Sequence, residues 1–217
     1  MATDSLTARE AAPRGRRSAR ANGDERERAI LETAERLLEE RPLSEISVAD
    51  LAAGAGISRP SFYFYFPSRD AVLMTLVDRM VAESAESRAA AVALISEEPR
   101  AGLRAGLQAS FDSFRSRRGV ILAAAELRAG SNEDARALWS QVMEGWVAQV
   151  SAVIEAERAR GAAPPGPPAR ELAIALVQMN ERAQHATLAG EAPSLAEEQT
   201  MDVLVEIWMR AIYGADA

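Results

Sequence analysis

The chain of 217 residues contains no cysteine, no lysine and one histidine, and aromatic side chains make up only 5% of it. Without cysteine there is no disulfide, no thiol nucleophile and no cysteine-ligated zinc. His185 stands alone, with no nucleophile elbow near it in sequence and no cluster of ligands at metal spacing. No Gly-rich phosphate loop follows a strand pattern. Long apolar runs are missing too. The longest, Ala89 to Ile95, is far below the roughly 20 residues a membrane span needs. The opening MATDSLTARE lacks the apolar centre of a signal peptide. These absences point away from an enzyme, a metal site or a cofactor, and toward a cytoplasmic protein clear of the membrane.

The lack of lysine makes all 25 basic residues arginine. A coding bias toward G and C produces the same pattern, so the excess carries no functional weight by itself. Net charge is −7, which by itself argues against a nucleic-acid binder. Its distribution changes the picture. Residues 1–80 hold 12 Arg against 13 acids, and the remainder 13 against 19. The first part also carries Arg14, Arg16, Arg17 and Arg20 with no acid among them. An acidic body keeps the chain soluble and directs a polyanion toward the less negative end.

Apolar residues make up 48% of the chain, Ala is abundant, and β-type alternation is scarce, so the expected fold is all-α. Residues 1–23 are polar and without period, and read as a disordered Arg-rich arm. A first helix is expected to open near Asp24, with Asp24, Glu25 and Glu27 at the positive end of its dipole. Ile30, Leu31, Ala34, Leu37 and Leu38 give it one apolar stripe, and Pro42 stops it. Ser47 and Asp50 then form a capping-box pattern. Gly54 and Gly56 make a turn in which a left-handed conformation is expected. Ser58 caps the next short helix, Phe66-Pro67 ends it, and Ser68 caps the one after. That order of cap, Gly turn, cap and cap over residues 24–67 suits a helix-turn-helix head.

Residues 68–217 are expected to form a larger helical body for effector binding and dimerisation. A helix carries on from Ser68 through Val81, and further helices follow at about 99–117, 119–129, 132–160, 170–189 and 195–213, broken by GAAPPGPP at 161–168 and by Gly190 to Pro193. The last two are apolar over wide arcs. In the final one, Val203 and Ile207 lie beyond the stripe of Met201, Leu204, Val205, Trp208, Ala211 and Ile212. A helix facing only its own core needs one stripe. A second suggests that another subunit covers it.

A helix that enters a DNA major groove must be short, exposed and supported from behind. Ile57 and Phe62 can give the support, leaving Arg59, Pro60, Ser61, Tyr63 and Tyr65 outside. Arg59 can bond guanine O6 and N7, or a phosphate. Plain core packing fits Phe62, Phe64 and Phe66, but not the two tyrosines. Ser68 and the N–H groups after it offer a phosphate site. Arg14, Arg16, Arg17 and Arg20 can cross the backbone or enter the minor groove. Ser47 and Arg69 complete the candidate set.

In the body, Trp139, Trp146, Trp208, Phe111, Phe114, Met143 and Met179 fill a core or line an apolar cavity. Asn180 and Glu181, with Gln184 a turn later, interrupt an apolar helix and need partners. A ligand carbonyl or amide suits Asn180. An Arg suits Glu181.

The run Gly54-Ala55-Gly56-Ile57-Ser58, then Ser61-Phe62-Tyr63-Phe64-Tyr65-Phe66, then Ser68-Arg69-Asp70-Ala71-Val72-Leu73 resembles the signature of TetR-family repressors. The likeness to one member extends from about Arg14 to Gly214. It is carried by Arg14-Gly15-Arg16-Arg17, Val153 to Arg158, Arg160 to Pro164, Met179 to Arg182, Ala189-Gly190-Glu191, Ile207-Trp208 and Ile212-Tyr213-Gly214. The resemblance implies a homodimer joined by its last two helices, bound to double-stranded operator DNA. It also implies release when a small apolar effector fills a tunnel lined by Gly106, Leu107, Phe114, Met143, Trp146, Asn180 and Trp208. Phe111, Val150, Glu181 and Gln184 complete the candidate effector set. Leu103, Ser110 and Gln149 stand where that member's tunnel has bulkier rings, and Val177 where it has an amide, so a differently shaped cavity is expected. Two other readings fit the same pattern: an enzyme or hydrophobic-ligand carrier using the cavity, and an interaction module with a vestigial head.

Overall fold

The computed structural model describes residues 14–214, with side chains from residue 23. All the regular structure among them is helical: α1 (Arg14–Glu40), a 3-10 turn (Leu43–Glu45), α2 (Val48–Gly54), α3 (Arg59–Phe62), α4 (Arg69–Glu83), α5 (Ala85–Ile95), α6 (Pro99–Ser116), α7 (Arg118–Ala129), α8 (Glu133–Ala159), α9 (Ala169–Ala189) and α10 (Glu197–Tyr213). No helix among the described residues is long and apolar enough to cross a membrane.

The first helix corrects the expected start at Asp24. It begins ten residues earlier, at Arg14, so the disordered arm does not extend over residues 14–23. Arg and Ala are strong helix formers, and Gly15 and Gly23 cost only about 1 kcal/mol each, too little to stop a helix anchored further on. Residues 1–13 lie outside the described part.

Local chemistry sets the head. Ser47 and Asp50 close a capping box, with the Ser47 N–H donating to Asp50 Oδ2 at 2.8 Å and the Asp50 N–H to Ser47 Oγ at 3.2 Å. Of the paired glycines only Gly56 is left-handed, at φ 66°. Gly54 serves a different need: a Cβ there would stand 2.3 Å from the Thr33 methyl of α1. Ser58 caps α3 by accepting from the Ser61 N–H.

Two cores form. One joins Ile30, Leu31, Leu51, Phe62 and Phe66 to Val72, Leu73, Leu76 and Val77 of α4 and to Val120 and Ala123 of α7. The other gathers Met80, Phe111, Ile121, Ile154, Leu176, Leu204 and Ile212. A division at residue 67/68 therefore cuts through a packed unit: most of α4 belongs to the head. α4 runs through Val81 as the spacing predicts and breaks at Ser84, whose hydroxyl donates to the Val81 carbonyl; α5, absent from the expected helices, starts next.

Head and body meet where α7 crosses α1. Gly119 sits so close that a Cβ would be 2.3 Å from the Leu38 carbonyl oxygen. Its N–H donates to Glu39 Oε1 at 2.9 Å. Beside it, Arg117 bonds both Glu35 and Glu83, bridging α1 and α4.

Candidate DNA-reading face and ligand cavity

Six large apolar side chains are well exposed among the described residues: Tyr63, Phe64, Ile174, Leu195, Val203 and Ile207. They fall into two groups. Tyr63 and Phe64 follow α3. The others lie on α9, on α10 or just before α10.

The first group sits on a small, well-supported platform. α3 is a single turn, shorter than the helix expected to run to Phe66. Beyond it the chain tightens, with the Tyr65 N–H donating to the Phe62 carbonyl at 2.9 Å. Phe62 is fully buried and meets the Tyr63 ring edge-on at 5.6 Å. Ile57 and Tyr65 pack partly against the same core, so Tyr65 is less free than expected. Phe64 reverses its expected place: it is 87% exposed. Alternation assigns it to the core, but the chain here is a turn, and Phe62 and Phe66 already fill the space below. Arg59 and Pro60 are exposed, Ser61 is half-buried, and Arg59 makes no ion pair among the described residues.

Other candidates are committed elsewhere. Arg69 donates through Nη1 to the carbonyls of Leu43 and Ile46, at 2.8 and 2.7 Å. It pins the connection between α1 and α2 and is not a free cation for phosphate. Ser47 Oγ also donates to Asp50 Oδ2 at 2.7 Å, so both its bonds stay within the cap. Ser58 and Ser61 share a hydroxyl bond at 2.8 Å. Ser68 Oγ accepts from the Ala71 N–H, occupying itself the place expected for a phosphate. Arg14, Arg16, Arg17 and Arg20 lie in the opening turns of α1, and their side chains are outside the described part.

The body holds a cavity of about 110 Å³ between α5, α6, α8, α9 and α10. Ten of the fifteen expected tunnel positions line it: Leu103, Gly106, Leu107 and Ser110 from α6, Trp146, Gln149 and Val150 from α8, Val177 and Asn180 from α9, and Trp208 from α10. The other five stand behind the wall. Phe111 is wholly buried, and Phe114 lies under Trp146 with ring centres 5.9 Å apart. Met143 packs in the same core. Glu181 turns away to Arg128, 3.3 Å distant, whose guanidinium covers Trp139. Gln184 is fully buried and organises the wall: its Nε2 donates to the Leu107 carbonyl at 3.3 Å and to Asn180 Oδ1 at 3.5 Å, while Ser110 Oγ donates to its Oε1 at 3.2 Å.

One wall was not foreseen. Arg88, Ala91, Val92 and Ile95 of α5 also line the cavity. Their spacing of i, i+3, i+4 and i+7 is a single helix face, a signal present in the sequence. The indole N–H groups of Trp146 and Trp208 are buried and have no acceptor. His185, the lone histidine, faces Glu191 at 3.3 Å.

Residues 30–75 match the family described as bacterial regulatory proteins, tetR family, and residues 103–214 match the C-terminal domain of the transcriptional regulator EthR. The chain belongs to the TetR family of transcriptional regulators. Within it, the chain is 51% identical over 213 residues to the HTH-type transcriptional regulator EthR of Mycobacterium tuberculosis strain H37Rv, covering 98% of each protein. It is 48% identical over 202 residues to the EthR of Mycolicibacterium smegmatis, covering 93% of each. These relatives are regulators, not enzymes. A solved structure, that of AibR in complex with isovaleryl coenzyme A and operator DNA, superposes with a TM-score of 0.61 at 21% identity, over 84% of this chain and 97% of that one.

Proposed function

We propose that the protein is a ligand-released repressor: a homodimer that grips operator DNA with two heads and lets go when a small, mostly apolar effector fills the body cavity. The observation that carries this reading is the division of the exposed apolar side chains into two patches with a cavity in the body of the same chain. Tyr63 and Phe64, beside Arg59, Pro60 and Ser61, form the reading face. Ile174, Val203 and Ile207 form the face that a second copy covers. The Arg14–Arg20 stretch is assigned to the DNA backbone or minor groove.

The mechanism follows from geometry and linkage. Two reading faces enter successive major grooves only when about 34–36 Å apart. Arg59 is placed to read a guanine edge, while Tyr63 gives its hydroxyl to a phosphate. An effector enlarges or stiffens the cavity walls α5, α6 and α8–α10, and the junction at Gly119 and Arg117 passes that change to α1 and α4. The shift in DNA affinity can be no larger than the effector's preference for the released form.

Selection from a random DNA pool, repeated with candidate apolar ligands, tests the whole reading. Enriched sequences with paired half-sites, lost when ligand is added, are expected. No enrichment, or enrichment indifferent to every ligand while products of turnover accumulate, would favour a carrier or an enzyme.

A further inference from the structure

The cavity is not uniformly apolar. Among its lining residues Arg88 is the only one that carries a charge. It is half-buried in the first turn of α5, and no carboxylate lies within ion-pairing distance of it among the described residues. Its guanidinium touches only Ser84 Oγ and, through Nη2 at 3.2 Å, the Val81 carbonyl. These bonds leave part of its five-donor fork unused. Arg117, by contrast, ends on two carboxylates, Glu35 and Glu83. A cation withdrawn from water without a partner is a standing cost. Burial pushes the Arg88 guanidinium below its ordinary range, which marks a charge with no counter-charge beside it.

A second observation is independent of Arg88. Trp208 is 94% buried and Trp146 half-buried; both line the cavity, and the indole N–H of each has no acceptor. Asn180 uses its Oδ1 on Gln184 and makes no other side-chain hydrogen bond among the described residues. The cavity therefore presents a guanidinium and an amide to whatever enters, with two buried, unpartnered indole N–H groups on the tryptophans of its wall. All of them can donate: the two indoles have no acceptor, and Arg88 keeps donors beyond those used on Ser84 and Val81. Buried donors in native proteins are nearly always satisfied.

We infer that the cavity is built for an amphiphile carrying a carboxylate, whose oxygens bond Arg88 while its apolar part lies along Ile95, Leu103, Leu107 and Val150. The volume limits that part. A cavity of about 110 Å³ is somewhat smaller than the roughly 150 Å³ hole known to take benzene, so a short chain or a single ring fits. This rests on the proposed role of the cavity as the effector site and narrows its chemistry: the effector is an organic acid and not a neutral hydrocarbon or ester.

The test uses butanoate and hexanoate against the neutral, nearly isosteric butanamide and hexanamide at pH 7.5. Binding to the full-length protein is read by calorimetry and by tryptophan emission, without DNA. The carboxylates are expected to bind at least about tenfold more tightly than the amides, as a charge-assisted bond requires. Arg88→Leu should remove that preference while amide binding changes by less than about threefold. Arg88→Gln should do the same, and a melting curve for each variant shows that it folds. Equal binding of acid and amide by the unsubstituted protein, no binding of either, or a preference that survives both substitutions overturns the inference. A separate arm adds operator DNA taken from the selection experiment. Acids that bind through Arg88 without releasing DNA would leave the site standing and remove its effector role. Amides that bind and release DNA as well as acids do would have the opposite meaning.

Discussion

Gly119 of α7 lies directly on the Leu38 carbonyl of α1, close enough that one added methyl would stand 2.3 Å from the oxygen. The approach is backbone against backbone. Gly119→Ala must therefore push the two helices apart. A loss of about 1–3 kcal/mol is expected, as for other overpacked sites, measured by chemical denaturation. Because the same junction links cavity to head, DNA affinity should also become less responsive to ligand.

Phe64 and Phe62 should separate folding from reading. Phe64 is 87% exposed, so Phe64→Ala should change stability by less than about 0.5 kcal/mol. Specific DNA binding should fall, since a ring at this position is free to pack on thymine methyls. Phe62→Ala empties the core beneath and should cost about 3–5 kcal/mol. Denaturation curves and mobility shifts on the selected DNA check both. Normal DNA binding by Phe64→Ala would take this residue off the reading face.

In the body, Val203 and Ile207 of α10 are exposed and lie one turn apart. Val203→Asp together with Ile207→Asp should yield a folded monomer in sedimentation and lower operator affinity steeply, since half a dimer keeps only one reading face. A pair of aspartates that leaves the oligomeric state unchanged would place the interface elsewhere.

The end of α10 is tied to the end of α8. Tyr213 donates its hydroxyl to Glu157 Oε2 at 2.8 Å, and Arg160 binds the same carboxylate through two nitrogens. Burial pushes the Glu157 carboxyl up, but the bonds from Arg160 and Tyr213 outweigh it, and the group ends below its ordinary value of 4.5. Its stabilising contribution is therefore present above about pH 4.5 and is lost as pH falls through the lowered folded value. Tyr213→Phe should cost about 1–3 kcal/mol near neutral pH. Glu157→Gln should cost stability there too, and its deficit should shrink in acid. Thermal unfolding between pH 3 and 8 tests the sign.

What was legible in the sequence follows the range of the forces involved. Caps at Ser47, Ser58 and Ser68 act over three residues, so pattern alone locates them. The cavity faces of α6 and α8 are equally readable, because helical spacing puts Leu103, Gly106, Leu107 and Ser110, or Trp146 and Val150, on one side. Arg69 is not readable in this way: its carbonyl partners lie 23 and 26 residues before it. Phe64 misleads because alternation has no meaning in a turn. Glu181 and Gln184 share a polar stretch, yet one meets Arg128 outside the cavity and the other holds its wall from behind. That distinction depends on the rotation of α9, which periodicity leaves open. Arg88 does fall on the right face of α5, but a charge amid Ala and Ser reads as surface until the neighbouring helices are in place.

α4 touches both cores: Val72, Leu73, Leu76 and Val77 are gripped at the head, and Met80 sits in the body. Its 15 residues make a rod of roughly 22 Å, with no glycine or proline inside to flex. A rod clamped at both ends acts as a lever. A tilt of a few degrees imposed near Met80 arrives beneath the opposite end as a sideways step, and the break at Ser84 frees the chain beyond to follow the cavity without dragging the whole helix. Head and body are thus joined through one stiff strut, α4, beside the contact of α7 with α1.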